Sequence, residues 1–101
     1  MHTPSIELHH LRTFIALAEE RHLRRAAARL RLSPPTLRTH IRRLEATLGA
    51  RLCERGPRGT QARLTFAGEV FLHEARDLLR HLQEILDIMQ EARRPQWASG
   101  Q

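Results

Sequence analysis

Arginine and hydroxyl side chains concentrate on one face of a short stretch that begins at Ser33. At 100° per residue, a helix here would turn this face away from an apolar stripe. The outward face carries Pro35, Thr36, Arg38, Thr39, Arg42 and Arg43. Arginine can donate two parallel hydrogen bonds to guanine O6 and N7. The stretch therefore has the chemistry of a nucleic-acid contact, although an ordinary solvated face is the alternative for one basic helix considered alone.

Start and stop signals frame this helix. Ser33 is a suitable N-cap, and Pro34 suits the first helical position because its missing N–H would be unpaired there. The apolar stripe, at spacings of four, three and four residues, consists of Leu37, Ile41, Leu44 and Leu48. Such spacing predicts one buried face of a helix, which Gly49 can end in a left-handed conformation.

Two shorter apolar stripes precede the basic helix. The first, which ends near Glu20, consists of Leu8, Leu11, Phe14, Ile15 and Ala18. The second consists of Leu23, Ala26, Ala27 and Leu30. The turn at residues 31–33 then leads into the basic helix. Two short helices, a three-residue turn and a basic outer face on the second helix predict a helix-turn-helix.

Turn residues at positions 56–61 separate two short segments that could pair as strands, Arg51–Arg55 and Arg63–Thr65. A strand, a glycine-rich tip and a returning strand after a helix-turn-helix predict a wing. The arginines on or beside it are Arg55, Arg58 and Arg63. Because no acid occurs from residue 55 to residue 63, contact with phosphate or the minor groove is favoured over a role in loop solubility.

A long helix is predicted from about Phe66 to Ala92, with Thr65 as its N-cap and Pro95 beyond its end. Its apolar positions are Phe71, Leu72, Ala75, Leu78, Leu79, Leu82, Ile85, Leu86 and Met89. A small three-helix unit cannot easily cover so long an arc, and each leucine left in water forgoes roughly 1.5–3 kcal/mol of burial. We therefore predict that this face forms a dimer interface; packing wholly within the monomer is the alternative.

Charge is distributed unevenly along the 101 residues, whose net charge is +6. From residue 21 to residue 63, 12 arginines and two acids give +10, whereas the remainder has 5 arginines and 9 acids and carries −4. A basic middle between more acidic ends is typical of a polyanion-binding surface. The single cysteine favours a reducing compartment, and neither a signal peptide nor a transmembrane span is evident, so a cytoplasmic location is expected.

Two rival chemistries receive weak support. Cys53 beside Glu54 could be an activated thiol, but core packing is favoured. His73, Asp77 and His81 share a helix face at spacings of four and could bind zinc weakly, but a solvated face is favoured. The pair His9–His10 is expected at the surface. With no phosphate-binding glycine loop or nucleophilic triad, we expect no enzyme activity, no metal and no cofactor.

In combination, several motifs resemble the N-terminal domain of LysR-type transcriptional regulators over about residues 6 to 92. The matching motifs are Leu11-Arg12, Phe14, Ala26-Ala27-Ala28-Arg29-Leu30, Leu32-Ser33, Leu37, Ile41, Leu44-Glu45, Leu48-Gly49, Arg51-Leu52, Glu54-Arg55, Leu64-Thr65 and Ala67-Gly68-Glu69. The resemblance implies a mainly α fold: a winged helix-turn-helix of three helices and a two-stranded wing, then a long dimerising linker helix. It also implies a homodimer on a partly palindromic operator in a bacterial nucleoid.

Family base-reading positions fall on Pro34, Pro35, Arg38 and Thr39, and wing contacts on Arg55 and Arg58. The chain departs from the family pattern at three positions. The family often has glutamine where Pro34 stands, serine where Arg38 stands and phenylalanine where Cys53 stands. The first two differences imply an unusual operator.

We expect three parts: a DNA-binding domain at residues 1–65, a dimerisation helix at 66–94, and the start of a flexible linker at 95–101, with an effector-binding domain absent. The expected base contacts are Pro34, Pro35, Thr36, Arg38 and Thr39. The expected phosphate and wing contacts are Arg24, Arg25, Ser33, Arg42, Arg43, Arg55, Arg58 and Arg63. A small-molecule effector is expected only with a further domain. The alternative function is a dimerisation adaptor that acts on a full-length regulator without binding DNA.

Overall fold

The computed structural model describes residues 5–56, 59 and 61–94, which form four helices and a two-stranded hairpin. The helices are α1 (Leu8–Glu20), α2 (Leu23–Leu30), α3 (Pro34–Leu48) and α4 (Phe66–Ala92). The strands are β1 (Cys53–Arg55) and β2 (Ala62–Leu64). The mainly α winged helix-turn-helix with a long final helix is confirmed.

The helix boundaries follow from local chemistry. The Ser33 hydroxyl accepts a hydrogen bond from the Thr36 backbone N–H at 3.3 Å, and Pro34 opens α3 as expected. Gly49 ends α3 with φ +68°. Arg21 and Arg31 end α1 and α2 at φ 56° and 58°, a left-handed conformation that costs a non-glycine residue energy. Both sharp turns are thus made without glycine.

The core lies where α1, α2 and α3 meet the first turns of α4. Its largest fully buried side chains are Phe14, Leu37, Leu44 and Leu52. The expected inner stripe of α3 is confirmed at Leu37, Ile41 and Leu44, but Leu48 is 36% exposed. Leu48 is the last residue of α3, just before the chain turns away at Gly49.

The wing is shorter than the sequence pattern predicted. β1 and β2 pair antiparallel over three positions, Cys53 with Leu64, Glu54 with Arg63, and Arg55 with Ala62. Arg51 and Leu52 precede the strand; the Leu52 N–H donates to the Glu45 carboxylate at 2.8 Å, and the Leu52 carbonyl accepts from the Thr65 N–H at 3.0 Å. The wing is attached to the helices through the Ala62 N–H, which donates to the Arg21 carbonyl at 3.1 Å.

Helix α4 begins against the wing. The Thr65 hydroxyl accepts from the Gly68 N–H at 2.9 Å and donates to the Arg51 carbonyl. A Cβ added to Gly68 would lie 2.1 Å from the Leu52 carbonyl oxygen, so only glycine permits this approach. Over the described ranges, no helix is both long enough and apolar enough to cross a membrane.

Candidate nucleic-acid interface

The first turn of α3 presents two hydroxyls with opposite hydrogen-bonding roles. The Ser33 hydroxyl donates to the Thr36 hydroxyl at 2.9 Å, which leaves the Thr36 proton free to point outward. The Thr39 hydroxyl donates to the Pro35 carbonyl at 3.1 Å, so only its lone pairs face outward. Thr36 can therefore donate to a bound molecule, whereas Thr39 can accept from one.

Two arginines of α3 lie on the side that faces the wing. Arg38 is half-buried and Arg42 is exposed, and both line a groove shared with Cys53 and Arg55. Glu45 lies near the C-terminal end of α3 and connects this helix to the groove. Its carboxylate accepts hydrogen bonds from the N–H groups of Leu52 and Cys53 at 2.8 and 3.4 Å. Glu45 therefore helps to hold the wing beside α3, in addition to the Ala62–Arg21 hydrogen bond.

Arg43 lies on the other side of α3. It lines a shallow surface depression together with Glu7 and His10, at the beginning of α1. The basic face of α3 therefore extends from the wing to the first turn of α1.

The arginines of α2 differ in whether they form ion pairs. Arg29 bonds to Glu19 at 2.8 Å and to Glu20 at 3.3 Å, and Arg76 of α4 bonds to Glu19 at 2.9 Å. The hydrogen bonds from Arg76 and then from Arg29 hold the pKa of Glu19 below its ordinary value. Arg24 and Arg25 are exposed, as Arg29 is, but neither takes part in an ion pair with another described residue.

The wing arginines that the structure describes, Arg55 and Arg63, are both exposed. Arg63 lies opposite Glu54 in the strand register, an arrangement that favours attraction between the two side chains. Arg58 lies outside the described residues.

Cys53 packs against the core, as expected. Burial, followed by the nearby Glu45 charge, raises the pKa of the Cys53 thiol to about 12. An unionised thiol is a poor nucleophile, so the residue fills space.

The histidines are arranged differently from the expectation. His10 is only 6% exposed, so its predicted surface position is wrong. It packs beside His40 because α1 and α3 cross there. On α4, His73 groups with Glu74 and Asp77, whereas His81 pairs with Glu84 at 3.5 Å. The alternative metal trio of His73, Asp77 and His81, which was weighed against the favoured solvated face, is therefore not brought together within the described part of the chain.

Helix α4 leaves much of its apolar surface uncovered. Its exposed large apolar side chains are Phe66, Val70, Leu78, Ile85, Leu86, Ile88 and Met89. The expected dimer residues Leu79 and Leu82 are half-buried. Ala75 is only 2% exposed within the monomer, so its assignment to a dimer contact is wrong: it faces the core that α4 shares with α1.

Phe71 and Leu72 also pack against that core, and the Phe71 ring lies 5.3 Å from Phe14. Among the predicted interface positions, exposure therefore begins at Leu78, about two turns after Phe71, although Phe66 and Val70 are exposed earlier on α4. Phe66, Val70 and Ile88 were missed, since all three fall outside the three–four spacing.

Comparison with known proteins places these features in a family. Residues 8–69 match the bacterial regulatory helix-turn-helix proteins of the lysR family. The chain belongs to the lysR family. The match covers α1, α2, α3, the wing and the start of α4.

Named relatives of this lysR-family chain are transcriptional regulators. It is 51% identical over 75 residues to the uncharacterized HTH-type transcriptional regulator YnfL of Escherichia coli, covering 74% of this chain and 25% of that protein. It is 39% identical over 89 residues to the HTH-type transcriptional regulator AlsR of Bacillus subtilis, covering 88% of this chain and 29% of AlsR. The chain thus spans between a quarter and a third of these two relatives.

Solved structures agree with the lysR-family fold. The crystal structure of a CbnR DBD–DNA complex superposes with a TM-score of 0.81 at 40% identity, covering 87% of this chain and 99% of that one. A full-length OxyR variant from Pseudomonas aeruginosa superposes with a TM-score of 0.79 at 34% identity, covering 89% of this chain and 30% of that one.

Proposed function

We propose that this chain is the DNA-binding part of a bacterial transcriptional regulator and binds double-stranded DNA without catalysing a reaction. The observation that carries the proposal is the continuous basic face of α3, bordered by the wing arginines on one side and Arg43 on the other. Its likeness to the chain in the CbnR DBD–DNA complex supports the same conclusion. Action in the bacterial cytoplasm, at the nucleoid, follows from this function.

In the proposed complex, α3 lies in the major groove. An α-helix with its side chains is about 10–12 Å across and fits that groove. The base contacts would come from Pro34, Pro35, Thr36, Arg38 and Thr39. Thr36 as donor and Thr39 as acceptor would distinguish different base edges, because each groove position offers a fixed donor or acceptor pattern.

The phosphate contacts would come from residues around this helix. They are Arg24, Arg25, Ser33, Arg42, Arg43, Arg55, Arg58 and Arg63. Each neutralised phosphate releases counterions and adds about 0.9 to the steepness of the salt dependence. Arg29 is excluded from the set, because Glu19 and Glu20 already hold it.

We further propose that two copies pair through α4 and that the operator is partly palindromic. The proposed interface consists of Leu78, Leu79, Leu82, Ile85, Leu86 and Met89. Leu78 and Leu86 are each 50% exposed, which supports a partner surface that excludes water. The proposed division of the chain is a DNA-binding domain at residues 1–65, a dimerisation helix at 66–94 and a linker from 95. A small-molecule effector would act only through a further domain.

The test compares two variants on an operator selected from a random duplex library. Arg38→Ala should cost about 1–3 kcal/mol on that operator and relax sequence preference. Arg42→Ala should weaken selected and random duplexes alike and reduce the salt slope by about one for each chain of the proposed dimer. Arg80→Ala is the matched control, since Arg80 pairs with Asp77 on α4.

Equal losses on selected and random DNA for Arg38→Ala would remove its base-reading role. A dimer without DNA affinity at low salt would replace the proposal with the adaptor function.

A further inference from the structure

Three histidines from two helices meet at one edge of the domain. His9 and His10 lie in the first turn of α1, and His40 lies in the middle of α3. The ring centroids are 4.3 Å apart for His9 and His10, 4.6 Å for His10 and His40, and 5.3 Å for His9 and His40. One potential ligand nitrogen from each ring lies within 4.8 Å of the other two.

The hydrogen bonds around His40 determine which nitrogen carries its lone pair. The Thr13 hydroxyl donates its only proton to the His9 carbonyl at 2.8 Å. It can therefore only accept from His40 Nδ1, which lies 3.2 Å away. Neutral His40 consequently carries its proton on Nδ1 and leaves Nε2 free to bind a cation.

A carboxylate orients His9 in a similar way. Glu7 Oε2 lies 3.2 Å from His9 Nε2, so a proton on Nε2 leaves the Nδ1 lone pair available. Metal-binding histidines commonly donate their second N–H to a carboxylate or another oxygen, which fixes the ring and strengthens the ligand. Both arrangements are present here.

His10, the third histidine of the group, is buried. It is only 6% exposed, and within the described residues its ring makes no hydrogen bond.

We propose that His9, His10 and His40 form a binding site for one divalent transition-metal ion of the Zn²⁺ class. Three imidazoles with a water in the fourth position are a common tetrahedral zinc set, with Zn–N distances of about 2.0–2.1 Å. Such bonds place ligand nitrogens about 3.3 Å apart, so ring nitrogens that now lie within 4.8 Å of one another would approach by up to about 1.5 Å when an ion binds. No metal motif in the sequence signals the site, because 30 positions separate His10 from His40.

The ion would join the first turn of α1 to the middle of α3. It would also add positive charge beside Arg43, so Zn²⁺ is expected to raise DNA affinity. That consequence rests on the proposed function; the binding of the ion does not, and a direct metal titration separates the two.

The experiment is isothermal titration calorimetry of the metal-free 101-residue chain with Zn²⁺. The chain should bind one equivalent, and His9→Gln and His40→Gln should each weaken binding by at least roughly 10–100-fold. His73→Gln is the matched control, because it removes an exposed histidine from the other ligand group, and it should leave this affinity unchanged. If His40→Gln fails to fold, the exposed His9 still provides the decisive variant.

A second readout uses Co²⁺ in place of Zn²⁺. Tetrahedral nitrogen coordination gives Co²⁺ an intense visible absorption, which should appear in the unaltered chain and disappear in His9→Gln. Absence of one-equivalent binding, or binding that survives His9→Gln but is lost in His73→Gln, would overturn the proposal.

Discussion

Replacing Glu45 with alanine should loosen the wing and destabilise the whole domain. The Glu45 side chain is only 16% exposed, and one of its oxygens accepts from the Leu52 and Cys53 N–H groups. Leu52 itself is buried, at 1% exposure. Without the carboxylate, a donor at a buried position loses its partner and water cannot easily replace it.

The magnitude follows from these contacts. A hydrogen bond to a charged group contributes about 1.5–3 kcal/mol, and an unsatisfied buried donor costs about 1–3 kcal/mol. The 2.8 Å bond to Leu52 dominates, since the 3.4 Å bond to Cys53 is long. Arg51, at 3.7 Å and largely exposed, adds little. We expect a loss of about 2–4 kcal/mol, a large share of the roughly 5–15 kcal/mol that stabilises a typical domain.

The assay is urea denaturation followed by circular dichroism, with Glu54→Ala as the matched control because Glu54 is exposed on the neighbouring strand. Glu45→Gln should recover part of the loss, since its amide oxygen still accepts. Weaker DNA binding should accompany the loss, because the wing no longer holds its position beside α3. A Glu45→Ala variant within about 0.5 kcal/mol of the unaltered chain would refute the reasoning.

Three further predictions follow from single contacts. Gly68→Ala should destabilise the fold by about 1–3 kcal/mol in thermal denaturation, because its Cβ would meet the Leu52 carbonyl; an unchanged melting temperature would contradict this. At pH 8, Cys53 should react with a disulfide reagent on the order of 10³-fold more slowly in the folded chain than in the unfolded chain, because folding raises its pKa to about 12. Equal rates in the two states would contradict this. The pKa of Glu19 is lowered in the folded chain, so the stability that ionised Glu19 adds is complete above the ordinary value of 4.5 and is lost as the pH falls through the lowered pKa. Glu19→Gln should therefore reduce the loss of stability on acidification, and an unchanged acid profile would contradict this.

Much of the fold could be predicted because its signals are local. The N-cap at Ser33 and the proline that follows it are adjacent in sequence. The buried positions Leu37 and Ile41 recur at helical spacing. Caps and periodicity depend on neighbours in sequence, so α3 and α4 were predicted near their observed ends.

Contacts between distant segments could not be predicted in the same way. The hydrogen bond from Leu52 to Glu45 forms only because the turn after α3 places the segment before β1 beside that helix. The Arg76–Glu19 pair joins residues 57 positions apart. Ala75 looked like part of an outward stripe because periodicity identifies an apolar face but not its partner. Only the packing of α4 on α1 shows that this position is already covered.

The central claim is that the α3 and wing surface binds DNA through phosphates as well as bases. Fluorescence anisotropy on random duplex DNA at several salt concentrations tests it most directly, with sedimentation on the same sample. We predict a dimer whose log affinity falls with log salt at a slope of about −4.5 or steeper, equivalent to about five or more phosphate contacts. A dimer that fails to bind at low salt, or binds with a slope near zero, would contradict the account.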